Sequence, residues 1–241
     1  SKNEPLLDSK LEERIAAFRR IAQPHQTVEL VTNGALLDAD RLRRLADAGT
    51  DLVTISLNAA TAETFAKTNG GLSYERLVRN LESFRPEEME RVNLFVRYVR
   101  TKDNPGGERA FRKRWKSRGF NVFAFEVNNR AGAVRNYRDL LRAPTLAGRM
   151  RQLFRRWLSR RIFQVCPYVF SIANVMQNGD VVLCANDWHN REVLGNVRTQ
   201  SLREIFNSPR LQEIRELMRQ NRYDEIPSCR DCTLWKEANW L

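Results

Sequence analysis

The sequence predicts an α/β protein: a parallel sheet with helical crossovers, followed by a small α+β domain built around a β-hairpin. Three observations predict it. Helical and strand-like segments alternate from residue 9 to residue 128; short alternating apolar runs replace them after residue 163; and all four cysteines lie between residue 166 and the C-terminus. The boundaries that follow are 1–135 for the sheet domain, 136–162 for a basic linking helix and 163–241 for the cysteine-bearing domain.

Residues 9–23, SKLEERIAAFRRIAQ, place Leu11, Ile15, Phe18 and Ile21 at helical spacing, with Glu12 and Glu13 in the first turn. TVELVTNG is a β-branched run closed by Asn33-Gly34, a strand and its turn. LLDADRLRRLADAG is a helix with Asp38 as N-cap and Gly49 as its stop. DLVTISLN is a strand, and SYERLVRNLESF a helix after the Gly70-Gly71 break. RVNLFVRYVR (strand), GERAFRKRWKSRG (helix) and NVFAFEVN (strand) complete the alternation. The strands are apolar enough to be buried on both faces, which argues for a parallel sheet, open or closed as a barrel. Ligand sites in such sheets lie beyond the C-terminal strand ends, so TNG (32–34), SLN (56–58), RYVRT (97–101) and VNNRAG (127–132) are the segments to inspect.

GRMRQLFRRWLSRRIF puts Met150, Leu153, Phe154, Trp157 and Leu158 on one helix face with arginines around the rest. Such a helix suits membrane or nucleic acid; the commoner outcome, a linking helix docked on its own domain, is the expectation. FSIANVMQNGDVVLC reads as two strands about Asn178-Gly179, a strong hairpin signal. SLREIFNSPRLQEIRELMRQ reads as one or two helices.

The chain has 241 residues and a formal net charge of +12. That charge points to acidic partners or anionic substrate, and its ordinary reading is an arginine-rich solvated surface; an RNA-binding aromatic core of the RRM kind is absent, so nucleic acid is not the expected partner. No apolar run is long enough to span a membrane. The first residues lack the plan of a signal peptide, so a cytoplasmic, reducing location is the default, where a C-x-x-C is a metal or redox site rather than a structural disulfide.

The hairpin brings Cys166 and Cys184 toward each other, and Cys229 and Cys232 form a C-x-x-C. Four thiolates converging in this way suit tetrahedral zinc or an iron–sulfur cluster. A zinc ribbon usually carries two C-x-x-C knuckles, and the wide first pair tilts toward a cluster; spacing goes no further.

Cys166, Gly179, Cys184, Asp187, Leu194-Gly195-Asn196, Cys229 and Cys232 together resemble the C-terminal cluster-binding module of radical S-adenosylmethionine (SAM) enzymes, in its shortened SPASM or "twitch" form. That resemblance implies one auxiliary 4Fe–4S cluster held by the four cysteines. NEPLLD resembles the family's Gly-Gly-Glu-Pro motif, whose acidic residue receives the SAM amino group, here Glu4. VTNG, ISLNAAT, VRYVRT and NNRAG fall where the family's partial (β/α)6 barrel has its SAM-facing edge. The resemblance makes Thr32, Asn33, Ser56 and Arg97 candidate SAM contacts and Arg130 a candidate catalytic, substrate-facing residue able to hold a carboxylate or phosphate or to steer a proton. The plain alternative for Arg130 is a surface loop arginine.

The family's C-x-x-x-C-x-x-C, which holds a second, SAM-cleaving 4Fe–4S cluster, is not in this sequence. The resemblance places it in a segment before Ser1 and implies that these residues alone do not cleave SAM. It further implies radical chemistry on a small molecule or peptide, an auxiliary cluster that passes electrons, and an electron donor such as flavodoxin or ferredoxin. The alternative is a non-catalytic four-cysteine zinc module binding nucleic acid or another acidic partner. Asp187 is expected to cap the turn after Cys184 or to orient a ligand, and His25 and His189 to be surface or turn residues.

Overall fold

A computed structural model describes residues 4–68, 71–141, 146–162 and 165–236. Asn3 of the Glu-Pro motif and Gly70 lie outside them. The chain divides into two compact units, Ser1–Val127 with Leu140–Arg142, and Asn128–Asp139 with Ala143–Leu241.

In the first unit α1 (Leu11–Arg19), β1 (Glu29–Thr32), α2 (Ala39–Ala48) and β2 (Leu52–Ile55) follow in order. Asp38 caps α2 by accepting from Arg41 N at 2.8 Å, and Gly49 ends it in the left-handed conformation. Next come α3 (Ala62–Thr68), α4 (Tyr74–Glu82), α5 (Pro86–Glu90), β3 (Asn93–Arg100), α6 (Gly107–Lys116) and β4 (Asn121–Glu126). α3 and α5 are too short to show helical periodicity. α5 forms because Pro86 occupies its first position and Glu88 accepts from Arg85 N at 3.0 Å.

The four strands pair in parallel in the order β1-β2-β3-β4. A single core gathers on one face, where Leu30, Val53, Ile55, Val96 and Tyr98 meet Leu45 of α2, Leu77 of α4 and Trp115 of α6. The expectation of strands buried on both faces holds only in part. Among the described residues the helices pack on one face, and the other is mixed, with Thr54 6% and Phe123 55% exposed. Sequential parallel strands with helices on one side are the plan of a barrel wall rather than of a doubly wound sheet.

An ion-pair network braces the β3–α6 connection. Glu108 accepts from Arg100 at 2.6 and 2.9 Å and from Arg112 at 2.8 Å. Hydrogen bonds from these guanidinium groups, Arg100 foremost, lower its carboxyl from 4.5 to about 2. A carboxyl lowered on folding stabilises above its unfolded pKa, and that stability is lost as pH falls toward the folded value. Glu108→Gln is expected to cost about 1–3 kcal/mol at neutral pH, with the gap from the parent closing between about pH 5 and 2. Urea unfolding across that range measures it.

In the second unit α7 (Tyr137–Leu140) and α8 (Leu146–Ile162) precede α9 (Pro167–Ser171). α8 corrects a second expectation. Met150, Leu153, Phe154 and Trp157 are 51–67% exposed and Leu158 is half-buried, so most of this apolar stripe is not docked. The hairpin forms but is shorter than the sequence suggests. Pro167 starts α9 through Ser171, which leaves β5 (Asn174–Val175) and β6 (Asp180–Val182), and β7 (Val193–Asn196) adds a third antiparallel strand. Gly179 closes the turn at φ 90° with its N–H on Met176 O at 2.9 Å.

The Leu-Gly-Asn motif serves this turn: Asn196 Nδ2 donates to Asn178 O at 3.3 Å and to Asp180 Oδ1 at 3.0 Å. α10 (Leu202–Phe206) and α11 (Pro209–Arg219) are capped by Ser201 and Ser208, and α12 (Thr233–Lys236) follows the C-x-x-C. Leu183, Val169, Leu211, Ile214, Met218 and Ile226 form a core that includes Cys166 and Cys229. Among the described residues no helix is long and apolar enough to cross a membrane.

Candidate cluster and cofactor sites

None of the four cysteines of the second unit is in a disulfide, and they come from three local structures. Cys166 caps the N-terminus of α9. Cys184 follows β6, and its Sγ accepts from Asn186 N at 3.4 Å. Cys229 and Cys232 lie in a turn in which Cys229 N donates to Ile226 O at 2.9 Å and Cys232 N to Cys229 O at 3.0 Å.

Burial pushes the Cys166 thiol up to about 12, against amide donation from Tyr168 and Val169, and the charges of Cys184 and Cys232 push the same way. Burial raises Cys229 further, with Cys166, Cys232 and Cys184 adding repulsion, and it raises Cys184 as well. Neighbouring thiolate charge thus raises Cys166, Cys184 and Cys229, the situation a bound cation relieves. Among the described residues no three His, Cys, Asp or Glu side chains are grouped closely enough to hold a single metal ion. The donor chemistry, four thiols with amide N–H groups aimed at two of them, fits an iron–sulfur cluster, whose sulfurs are commonly hydrogen-bonded.

Asp187 is 1% exposed and takes the structural of the two roles anticipated for it. It caps the turn after Cys184, accepting from His189 N at 3.3 Å and Arg191 N at 2.7 Å. It also accepts from Ser228 Oγ at 2.6 Å, directly before Cys229. His25 and His189 are exposed.

Arg130 is half-buried in the loop after Asn129. Its guanidinium lies 5.6 Å from the Trp188 ring centre, and Nη1 donates to Asn186 Oδ1 at 3.2 Å. Burial lowers its pKa, while the charges of Cys184 and Tyr168 oppose that shift. It is a loop arginine anchored beside the cysteine turn. Sequence reasoning missed its anchors. Asn186 lies two residues past Cys184, and Asn129 directly precedes Arg130; the adjacency of those polar residues to singled-out positions was the available signal.

In the first unit Glu4 caps a 3-10 turn at Pro5–Leu7, and its carboxylate accepts from Leu6 N at 3.1 Å, Thr32 Oγ1 at 2.5 Å and Asn33 N at 2.7 Å. Thr32, 2% exposed, also accepts from Gly34 N at 2.9 Å. Its hydroxyl therefore acts through Glu4. Asn33 spends Oδ1 on Ala35 N at 2.9 Å.

Register adds what periodicity could not. Thr32 pairs with Ile55, and Ile55 with Val96. One step further along the chain, Asn33, Ser56 and Arg97 adjoin one another at the C-terminal edge of the sheet. Ser56 N donates to Thr32 O at 2.8 Å, Asn58 N to Arg97 O at 2.8 Å, and the Arg97 guanidinium sits 4.7 Å from the Phe125 ring centre. The row can present polar groups and a cation to one ligand.

A barrel-wall sheet with an acidic group at its C-terminal edge, together with a four-thiol module, defines an α/β protein with a candidate metal-cluster site. Family comparison makes this specific. The model of the Radical SAM superfamily matches residues 1–103, and that of the SPASM iron–sulfur cluster-binding domain matches residues 166–233. The chain thus carries a radical SAM domain match in its first part and a SPASM-type domain match in its second. Radical SAM superfamily members are enzymes, and these domains imply 4Fe–4S clusters and SAM.

Among solved structures the chain is similar to BtrN in complex with AdoMet and 2-DOIA, at 16% identity and TM-score 0.61, covering 95% of this chain and 69% of that one. It is also similar to native anSMEcpe with bound AdoMet (14%, TM-score 0.60, 95% and 72%) and to native anSMEcpe with bound AdoMet and Cp18Cys peptide (14%, TM-score 0.59, 96% and 74%). At these identities the likeness is one of fold. A comparison with curated proteins found no match.

Proposed function

We propose that the chain is part of a radical SAM oxidoreductase or maturase acting on a small molecule or a peptide, in which Cys166, Cys184, Cys229 and Cys232 hold one auxiliary 4Fe–4S cluster. The observation that carries this is that Cys166 and Cys229 share one buried core while the Asp187–Ser228 hydrogen bond ties the Cys184 turn to the C-x-x-C turn, with an amide donor at Cys184. The match of residues 166–233 to an iron–sulfur cluster-binding domain favours a cluster over mononuclear zinc. The solved structures similar in fold include one with 2-DOIA and others with peptides, which supports both substrate classes.

When bound, the cluster supplies a one-electron store, and SAM with the superfamily's catalytic cluster supplies the radical. The chain's own groups do the positioning. Glu4, held by three donors, offers a carboxylate to the SAM ammonium; Thr32 fixes that carboxylate; Asn33, Ser56 and Arg97 line the row that receives the rest of SAM. Arg130 takes an anionic or hydroxyl group of substrate, its guanidinium kept in place by Asn186 and Trp188. Burial around Cys166 and Cys229 keeps water from the cluster and tunes its potential. Flavodoxin or ferredoxin is the proposed class of electron donor and the cytoplasm the proposed compartment.

Anaerobic purification and reconstitution test the reading. The expected result is brown protein with about four irons and four sulfides assigned to the four cysteines. A colourless protein with stoichiometric zinc would overturn it and favour the four-cysteine zinc module.

A further inference from the structure

The loop after β4 carries three consecutive left-handed residues: Arg130 (φ 49°), Ala131 (φ 55°) and Gly132 (φ 90°). Two of them are not glycine, a conformation that L side chains resist. A Cβ at Gly132 would lie 2.9 Å from Asp231 Cβ, so the loop presses directly on the C-x-x-C turn. Such a loop persists only where neighbouring contacts over-determine it.

Asn129 supplies most of those contacts. It is 6% exposed, and its side chain reads the segment after Cys229 at both ends. Nδ2 donates to Asp231 O at 2.5 Å, while Oδ1 accepts from Thr233 N at 3.1 Å and Thr233 Oγ1 at 2.9 Å. Its backbone N–H donates to Thr233 Oγ1 at 3.3 Å. Two further links close a triangle. Arg191 Nη2 donates to Ala131 O at 2.5 Å and Nε to Asp187 Oδ1 at 3.1 Å, and Ser228 donates to Asp187. The loop, the turn after Cys184 and the C-x-x-C turn are thus tied pairwise.

We propose that Asn129 is a positioning residue that makes the conformation of the Arg130 loop conditional on the seating of the Cys229–Cys232 turn, and hence on the metal centre. The proposal rests on the cluster reading above for what seats that turn. With the centre bound, the C-x-x-C backbone is fixed, Asp231 O and Thr233 present their groups to Asn129, and Arg130 is held beside Asn186. With the centre removed, the turn loosens and the strained loop relaxes with it.

Hydrogen–deuterium exchange of the full chain, with and without chelation of its metal, tests this. The amides of Gly132 and Val134, which donate to Asn129 O at 2.9 and 3.0 Å, report the loop. In the parent, metal removal is expected to speed their exchange at least about tenfold. In Asn129→Leu, exchange is fast with metal and without. Thr233→Val behaves likewise, while Thr233→Ser, which keeps the hydroxyl, restores the metal-dependent protection. Amides of α11, in the core of the second unit, still protected in the metal-bound variants, certify that each variant is folded, and Thr233→Val serves if Asn129→Leu is not. Parent exchange indifferent to the metal, or metal-dependent protection surviving in both Asn129→Leu and Thr233→Val, overturns the proposal. Metal analysis of the parent separates this from failure of the cluster reading: zinc in place of iron removes the cluster and leaves the exchange test intact.

Discussion

Cys229→Ser is expected to lose the iron–sulfur centre and, with it, most of the stability of the second unit. Cys229 is 9% exposed, within the same core as Leu211, Ile214 and Ile226. A serine there offers a hard, protonated oxygen where the soft centre calls for thiolate, so one of four ligands is gone. Structural metal sites of this kind contribute on the order of 10 kcal/mol of folding energy, comparable with the entire stability of a small domain. The visible absorption and sulfide content should therefore fall to background. In denaturant the variant should unfold with the metal-free parent, well below the holo parent. Because burial already holds the Cys166 and Cys229 thiols protonated, loading must displace those protons, and it should be favoured by higher pH. Iron and sulfide retained in full by Cys229→Ser would remove this residue from the ligand set.

The sequence carried much of this arrangement, and the exceptions have physical causes. Helices with an apolar stripe and a side-chain cap, such as that begun by Asp38 and ended by Gly49, form as read because their signals are local. α3, α5 and α9 are one- or two-turn helices fixed by a proline or by packing, and so few residues cannot show a 3.6 period. The half-exposed second face of the sheet was read as fully buried because Phe95, Phe123 and Phe125 look like core residues, while only topology decides which face the helices take. The cysteines were legible as a set, since few other needs put a C-x-x-C after a hairpin. Their supports were not. Asn129 meets Thr233 across 104 positions and Asp187 meets Ser228 across 41, and no periodicity records such pairings. The same holds for the row of Asn33, Ser56 and Arg97, which exists only once strand register is known.

Glu4→Gln is expected to weaken SAM binding about a hundredfold while costing a smaller amount of stability. All three donors at this carboxylate need an acceptor: Leu6 N and Thr32 Oγ1 share Oε1, and Asn33 N takes Oε2. An amide fits neither way round. With its NH2 at the Oε2 position it opposes the Asn33 N–H; flipped, it opposes Leu6 N–H and the threonine hydroxyl. One buried contact is therefore lost, about 1–3 kcal/mol, and the negative charge that would meet the SAM ammonium is lost as well. Thr32→Val separates the two effects, because it removes one hydrogen bond and leaves the carboxylate charged. It should lower stability by about 1 kcal/mol and SAM affinity by less than about tenfold. Calorimetric titration with SAM beside thermal unfolding of parent, Glu4→Gln and Thr32→Val reads both quantities. If Glu4→Gln shifts the melting temperature as Thr32→Val does and leaves the SAM dissociation constant at the parental value, Glu4 is a cap for the turn at Pro5–Leu7 and nothing more. A loss of affinity in Glu4→Gln alone assigns the carboxylate to the ligand.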